Sequence, residues 1–290
     1  MLSMSGDRRG SSIPFAVFTA GLLLNFAVAY RCVFANEIAD EIKRSYVVHR
    51  DVLYRTVGDE QLLADVYRPD DNRVRPSVLM IHGGGWTFGD KWNLRDHARQ
   101  LAQAGFVAVS INYRLAPKNV FPAQLEDCRA ALQWIAASQD RWRVRTDRLA
   151  VWGYSAGGQL AALLATDRDQ CCPALKAAVC GGAPCEFSFL QHDDRILAHV
   201  MGGSRAEVPH VYRLASPIEF ASPDDCPMFL FHGEHDLLVP QLSSFSLYEK
   251  LTEHGIGAEY LVVQGYGHMV TFLHPQPRLR AIQFLKQHLE

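Results

Sequence analysis

Short apolar runs alternate with longer amphipathic stretches along this chain, and glycine or proline marks most of the junctions. The opening pair is half-polar. Tyr46 to Arg55 and Gln61 to Tyr67 flank a turn at Gly58-Asp59, and the second segment sets Leu62, Ala64 and Val66 against Leu63, Asp65 and Tyr67. That imperfect alternation predicts two antiparallel strands. Ser77 to Ile81 is continuously apolar, as in a strand buried on both faces. A helix around Leu94 to Ala104 follows and stops at Gly105, and then a buried strand runs from Phe106 to Ile111. The pattern next predicts a helix over Phe121 to Ala137 with Pro122 in its first turn, where a missing N–H costs little. Arg141 to Arg148 alternates charge with Trp and Val and reads as a solvated loop. Beyond it come a strand at Leu149 to Trp152, a helix over Gln159 to Ala165, and strands at Ala174 to Cys180 and Pro227 to Phe231. A helix over Leu242 to His254, a strand at Glu259 to Val263 and a helix over Arg278 to His288 complete the chain. Such alternation builds an α/β fold, a mostly parallel central sheet with helices on both faces. No repeat or linker breaks residues 41–290, which read as one domain. The irregular stretch 183–225 is too long for a simple crossover and is expected to form a small cap or lid insertion.

Composition adds little to this picture, except at the N-terminus. The chain has 290 residues, 48% hydrophobic and 21% charged, with a net charge of −2. That is enough for a sizeable core and offers no basic surface for nucleic acid. Arg8 and Arg9 precede an uncharged run from Ile13 to Tyr30, and Val33-Phe34-Ala35 places small side chains where a signal peptidase reads them. Residues 1–35 are therefore expected to be a signal peptide cleaved after Ala35, making the mature protein periplasmic or secreted. The same run reaches the short limit of a membrane span, so an uncleaved anchor is the competing reading and the only membrane association expected. Cleavage leaves Cys128, Cys171, Cys172, Cys180, Cys185 and Cys226, which allow disulfides without selecting a pairing. Buried free thiols are the alternative.

Ligands of open α/β sheets bind past the carboxyl ends of the strands. Chemistry-bearing residues stand at four such ends: three glycines after Ile81, Ser155 after Trp152, Asp236 after Phe231 and His268 after Val263. Gly153-Tyr154-Ser155-Ala156-Gly157 is a strand-to-helix turn with a serine at its apex, flanked by glycines that remove clashing side chains. A serine hydroxyl needs a base, which His268 would supply, and Asp236 would hold that imidazole in the correct tautomer. The N–H groups of Gly83, Gly84 and Ala156 would form the oxyanion hole. Trp86 and Tyr154 are expected to line an aromatic substrate site, whereas Trp92 reads as core packing. This chemistry calls for no cofactor and no metal.

His82-Gly-Gly-Gly-Trp86, Gly153-Tyr-Ser-Ala-Gly-Gly158, His232-Gly-Glu-His-Asp236-Leu-Leu-Val-Pro240 and Gly267-His268 together resemble the α/β-hydrolase superfamily, in its esterase/lipase branch related to hormone-sensitive lipase. Asn112-Tyr-Arg-Leu-Ala-Pro117 and Phe121-Pro-Ala-Gln124 are similar to that branch too. Members near hormone-sensitive lipase carry a helical cap before the HGGG motif. Here that region reads as strands, so the chain is more similar to compact exported proteins of feruloyl-esterase-like and acetyl-xylan-esterase-like type. The resemblance implies a serine carboxylic-ester hydrolase acting on small-molecule or carbohydrate esters. Amide or peptide hydrolysis, formamidase-like or prolyl-oligopeptidase-like, is the alternative, followed by a non-catalytic binding protein on the same fold.

Several residues compete with these assignments. Among twelve histidines, His254, His274 and His288 also follow Ser155, but on or beside predicted helices. Asp224 and Asp225 precede their strand, at its wrong end, and Glu234 sits too close to the strand terminus. His232, His235 and Asp236 lack a third ligand position for a metal and read as structural. His82 is expected to brace the glycine loop. The three glycines lack the Lys-Ser/Thr of a phosphate cradle. Oligomeric state, acyl length and alcohol are not encoded in any of these patterns.

Overall fold

In the computed structural model, residues 44–166, 173–187 and 195–290 are described. The expected signal segment, Cys171 and Cys172 lie outside them. The elements are β1 (Tyr46–Val57), β2 (Glu60–Pro69), β3 (Arg75–Ile81), a 3-10 turn (Lys91–Leu94), α1 (Arg95–Ala104), β4 (Val107–Ile111), α2 (Ala123–Ala137), α3 (Gln139–Trp142), β5 (Val144–Tyr154) and α4 (Ala156–Thr166). After these come β6 (Leu175–Gly181), α5 (Arg195–Met201), α6 (Pro209–Leu214), β7 (Met228–Gly233), α7 (Gln241–Glu253), β8 (Ala258–Val263), α8 (His268–Leu273) and α9 (Pro275–Leu289). The strands form one sheet in the order β1-β2-β4-β3-β5-β6-β7-β8. β1 pairs antiparallel with β2 and β2 with β4, and every later pairing is parallel.

The two-residue period of the strands divides the interior into two cores. Leu79 and Ile81, Val107 and Val109, Leu149 and Val151, and Ala178 and Cys180 face α2, α4 and α7. Their neighbours Val78 and Met80, Ala150 and Trp152, and Val179 face α1 and α9 on the other side. A strand flanked by helices on both faces needs both parities apolar, which is why these segments read as unbroken runs. β2 departs from the pattern at Asp65, which is buried yet satisfied: its Oδ1 accepts the Asp51 N–H at 3.0 Å and lies 3.3 Å from Lys91 Nζ.

Three expectations need correction. Arg141 to Arg148 is not a solvated loop: Trp142 and Val144 are buried, and β5 begins at Val144. The β3–β5 register shifts between Arg75/Val144 and Ser77/Leu149, and in that irregular stretch the exposed Arg145 and Asp147 side chains pair with each other at 2.8 Å. Pro122 precedes α2 instead of sitting inside its first turn, and its carbonyl accepts the Glu126 N–H at 3.0 Å. Trp92 is not core; it is 52% exposed, with the Arg95 guanidinium stacked 3.3 Å from its ring centroid. Among the described residues no helix is long and apolar enough to cross a membrane. Cys128, Cys180, Cys185 and Cys226 are free thiols.

Within 183–225, α5 and α6 pack against the sheet side that carries α4. Leu197, Val200 and Tyr212 are buried there, and Gln159 Nε2 donates to the Ala215 carbonyl at 2.6 Å.

One buried ion cluster braces the segment after β4. The Asp127 carboxylate, fully buried, accepts from Arg55 at 2.6 Å, from Arg114 Nε at 2.9 Å and from the Arg114 N–H at 2.9 Å. Removing one partner of such a cluster strands the others' charges. Asp127→Ala is expected to lower unfolding stability by about 3–5 kcal/mol, measured as the shift in denaturant midpoint at constant m-value. A loss under about 1 kcal/mol, the size of a surface pair, would refute the bracing role.

Candidate active site

The turn between β5 and α4 carries Ser155 at its apex with a backbone φ of +56°. A non-glycine residue there stores roughly 1–3 kcal/mol and persists only when its surroundings hold it. The surroundings do: the Ser155 N–H donates to the Gly181 carbonyl at 2.8 Å, and its own carbonyl accepts the Gln159 N–H at 3.0 Å. A Cβ on Gly157 would overlap the carbonyl oxygens of Ile81 and His82, so the turn and the end of β3 fit together only without a side chain at that position.

The glycine loop after β3 lies directly beside this turn. A Cβ placed on Gly83 would stand 2.8 Å from the Tyr154 carbonyl and 3.2 Å from Ser155 Cβ. The Gly84 carbonyl accepts the Thr87 and Phe88 N–H groups at 3.1 Å each, closing the loop on itself. His82 braces it from below: Nδ1 donates to the Gly83 carbonyl at 2.8 Å, and the ring stacks on Tyr113 at 4.2 Å. Burial pushes the His82 imidazole down to about 4, so it stays neutral under the loop. Tyr113 OH donates to the His82 carbonyl at 2.9 Å and Ala116 N–H to the Trp86 carbonyl at 2.9 Å, tying the Asp127-braced segment to the loop. Ala156 opens α4, and the first N–H groups of a helix have no acceptor within it.

Past β7, Asp236 closes a turn in which all its acceptor capacity is used. Oδ1 accepts the N–H groups of Leu238 at 3.0 Å and Val239 at 2.9 Å. Oδ2 accepts from His268 Nδ1 at 2.6 Å and lies 3.1 Å from His232 Nε2. Burial alone would raise this carboxyl. The hydrogen bonds from His232 and His268, the His268 charge and the Val239 N–H outweigh it and hold the group well below the usual carboxylate range. His268 itself is the first residue of α8, not part of a flexible loop, and its Nε2 is buried with no partner among the described residues. The imidazole reaches the serine turn through Gly182, which follows the Gly181 that holds Ser155. A Cβ on Gly182 would sit 3.0 Å from His268 Cε1 and 2.9 Å from Tyr154 Cζ, and its φ is +51°. The structure therefore brings Ser155, Gly83, Gly84, Ala156, His268 and Asp236 to one end of the sheet.

Trp86 and Tyr154 do not line an open aromatic site. Trp86 is 5% exposed, and its Nε1 donates to Gln159 Oε1 at 3.0 Å. Tyr154 alternates into the α1/α9 core, stands behind the imidazole at 5.0 Å and donates its OH to the His268 carbonyl at 2.5 Å. Strand parity explains the error: the residue before the serine belongs to the opposite face. The exposed rim is aliphatic and aromatic instead, with Phe88 and Ile196 by the glycine loop and Leu237, Leu238 and Met269 by the acid and histidine turns. His232 was legible only as structural; the one available signal was its spacing of four from Asp236 across a turn. His232 is fully buried while His235 is largely exposed, and among the described residues no group of three or more His, Cys, Asp or Glu is arranged to hold a metal ion.

The BD-FAE family model matches residues 64–251. Esterase LipC of Mycobacterium tuberculosis (strain ATCC 25618 / H37Rv) is 30% identical over 254 residues, covering 78% of this chain and 60% of LipC. The probable carboxylic ester hydrolase LipM of the same strain is 32% identical over 221 residues, covering 69% of this chain and 50% of LipM. The chain thus spans between half and three-fifths of the length of these curated relatives. Among solved structures, a truncated carbohydrate esterase from gut microbiota superposes with a TM-score of 0.75 at 21% identity, covering 86% of this chain and 98% of that one. The thermophilic esterase Est2 of Thermogutta terrifontis, with butyrate bound, gives 0.70 at 22% identity, covering 83% and 94%. With the sheet order, the serine turn and a family match over well more than half its length, the chain belongs to the BD-FAE family, in the esterase branch of α/β hydrolases related to hormone-sensitive lipase.

Proposed function

We propose that this protein hydrolyses carboxylic esters through Ser155, His268 and Asp236. The observation that carries the reading is the 2.6 Å bond from His268 Nδ1 to Asp236, which leaves a buried, unpartnered Nε2 beside the serine turn. The bond fixes the tautomer: with the proton on Nδ1, the Nε2 lone pair is the base. Ser155 Oγ attacks the ester carbonyl carbon as its proton passes to Nε2. The N–H groups of Gly83, Gly84 and Ala156 receive the oxyanion, with the α4 N-terminus adding its positive end. Collapse breaks the bond to the alkoxy oxygen, which takes the proton from Nε2 and leaves as the alcohol. Water then repeats the sequence on the acyl-serine, releasing the acid and restoring Ser155.

Small acyl groups on sugars or simple alcohols are the substrate class to test first. Similar folds include a carbohydrate esterase from gut microbiota and the esterase Est2 with butyrate or propionate bound. A fluorophosphonate probe is expected to label Ser155 in the folded protein, and purified protein is expected to release acid from p-nitrophenyl esters of two to four carbons. Acetylated xylan, feruloyl esters and an arylformamide in the same panel divide carbohydrate esters from amide chemistry. Folded protein that neither takes up the probe nor hydrolyses any ester would overturn the reading.

A further inference from the structure

The carboxylate of Asp236 is shared by two histidines, and only one of them faces the serine turn. His232 lies on β7, four residues ahead of the acid, with no exposed side-chain surface. Its Nε2 faces two oxygens, Asp236 Oδ2 at 3.1 Å and the Val239 carbonyl at 2.9 Å. Both can only accept, so Nε2 carries a proton. Nδ1 lies 2.8 Å from Ser244 Oγ on α7, a hydroxyl that also reaches the Gln241 carbonyl at 3.2 Å. Tyr260 OH on β8 lies 3.0 Å from the same Oγ. A continuous hydrogen-bonded chain therefore runs Tyr260, Ser244, His232, Asp236, His268, and it ties β7, β8 and α7 to the acid turn. None of this is required to hold the turn closed, because the Leu238 and Val239 N–H groups already grip Oδ1.

We propose that His232 is a positioning residue for the reaction, which fixes the free edge of the Asp236 carboxylate and withdraws part of its charge from His268. This inference rests on the ester-hydrolase reading above. With two donors on Oδ2 and two on Oδ1, the carboxylate can neither rotate nor present its full charge to one imidazole. The withdrawn charge matters because His268 must be neutral to accept the serine proton. A carboxylate paired with His268 alone would stabilise the imidazolium more strongly and hold the base protonated to higher pH. The other titratable groups facing the chain among the described residues are Tyr154 behind His268, and Cys185 and Tyr248 near Tyr260. Burial pushes Tyr154, Tyr260 (to about 12) and the Cys185 thiol upward, so all three keep their protons where the acid limb of activity falls.

The test compares His232→Leu, His232→Gln and Ser244→Ala with wild type, by the pH dependence of kcat/KM on p-nitrophenyl butyrate and by 15N NMR titration of His268, which needs no turnover. His232→Leu is expected to reduce kcat/KM by roughly 10–100-fold, as for a slightly misplaced catalytic group, and to move the acid limb and the His268 titration upward by about one pH unit. His232→Gln places an amide N–H near the position of Nε2 and is expected to recover most of both. Ser244→Ala keeps the imidazole and is expected to give a smaller change in the same direction. An acid limb and titration unchanged in His232→Leu, or His232→Gln as impaired as His232→Leu, would overturn the role. Should His232→Leu fail to fold, a Ser244→Ala protein with wild-type kcat/KM, acid limb and His268 titration would overturn it equally. Wild type without esterase activity but with the expected NMR shifts would instead count against the ester reading alone.

Discussion

Ser155→Ala is expected to reduce kcat on a p-nitrophenyl ester by about 10⁶-fold, the scale seen when a serine nucleophile is removed from an assembled site. The residual rate should exceed that of water, because the Gly83, Gly84 and Ala156 N–H groups survive the substitution. KM should change little, since Ser155 makes its interaction in the transition state. Alanine also keeps the strained φ of +56°, so the variant should fold with a melting temperature near that of wild type. A folded Ser155→Ala protein retaining a tenth of wild-type turnover would exclude the serine mechanism.

The second large effect is at the acid. Asp236→Asn is expected to cost about 10⁴-fold in kcat, because an amide in this position can turn an N–H toward His268 Nδ1 and favour the wrong tautomer. Its effect on stability has a definite pH dependence. The folded carboxyl lies well below its ordinary value, so the stability it contributes is complete above an unfolded value of about 4 and is lost as pH falls toward the folded value. Between pH 5 and pH 3 the wild-type denaturant midpoint should fall more steeply than that of Asp236→Asn. Parallel curves would show that the carboxylate is not held as described, and turnover within tenfold of wild type would remove Asp236 from the mechanism.

Much of the fold was legible because its strands are buried on both faces. Val78 to Ile81 and Val107 to Ile111 cannot be read as anything but interior, whichever parity is chosen. The serine turn was legible for a local reason: the glycines around Ser155 are dictated by carbonyl oxygens a few residues away in space. What failed was set by environment beyond the segment itself. Arg145 and Asp147 read as loop because the β3–β5 register is irregular there and interrupts the apolar run of the strand. Trp92 read as core because its partner, Arg95, is charged and lies on the surface. Tyr154 read as a substrate contact because it stands next to Ser155, although adjacent strand residues point to opposite faces. His232 read only as structural because its contact with Asp236 exists only once the turn between them closes and α7 brings Ser244 against it.

The sheet order has a consequence for biosynthesis. The glycine loop and Ser155 come earlier in the chain, after β3 and β5, whereas Asp236 follows β7 and His268 follows β8. A ribosome therefore completes the serine turn well before Asp236 or His268 exists, and domains begin to organise from the N-terminus during synthesis. Until β7 and β8 have added to the sheet and α8 has presented His268, the exposed hydroxyl is an ordinary alcohol. On the mechanism proposed above, the nascent polypeptide is thereby kept chemically silent, and ester cleavage begins only when the last strand has docked.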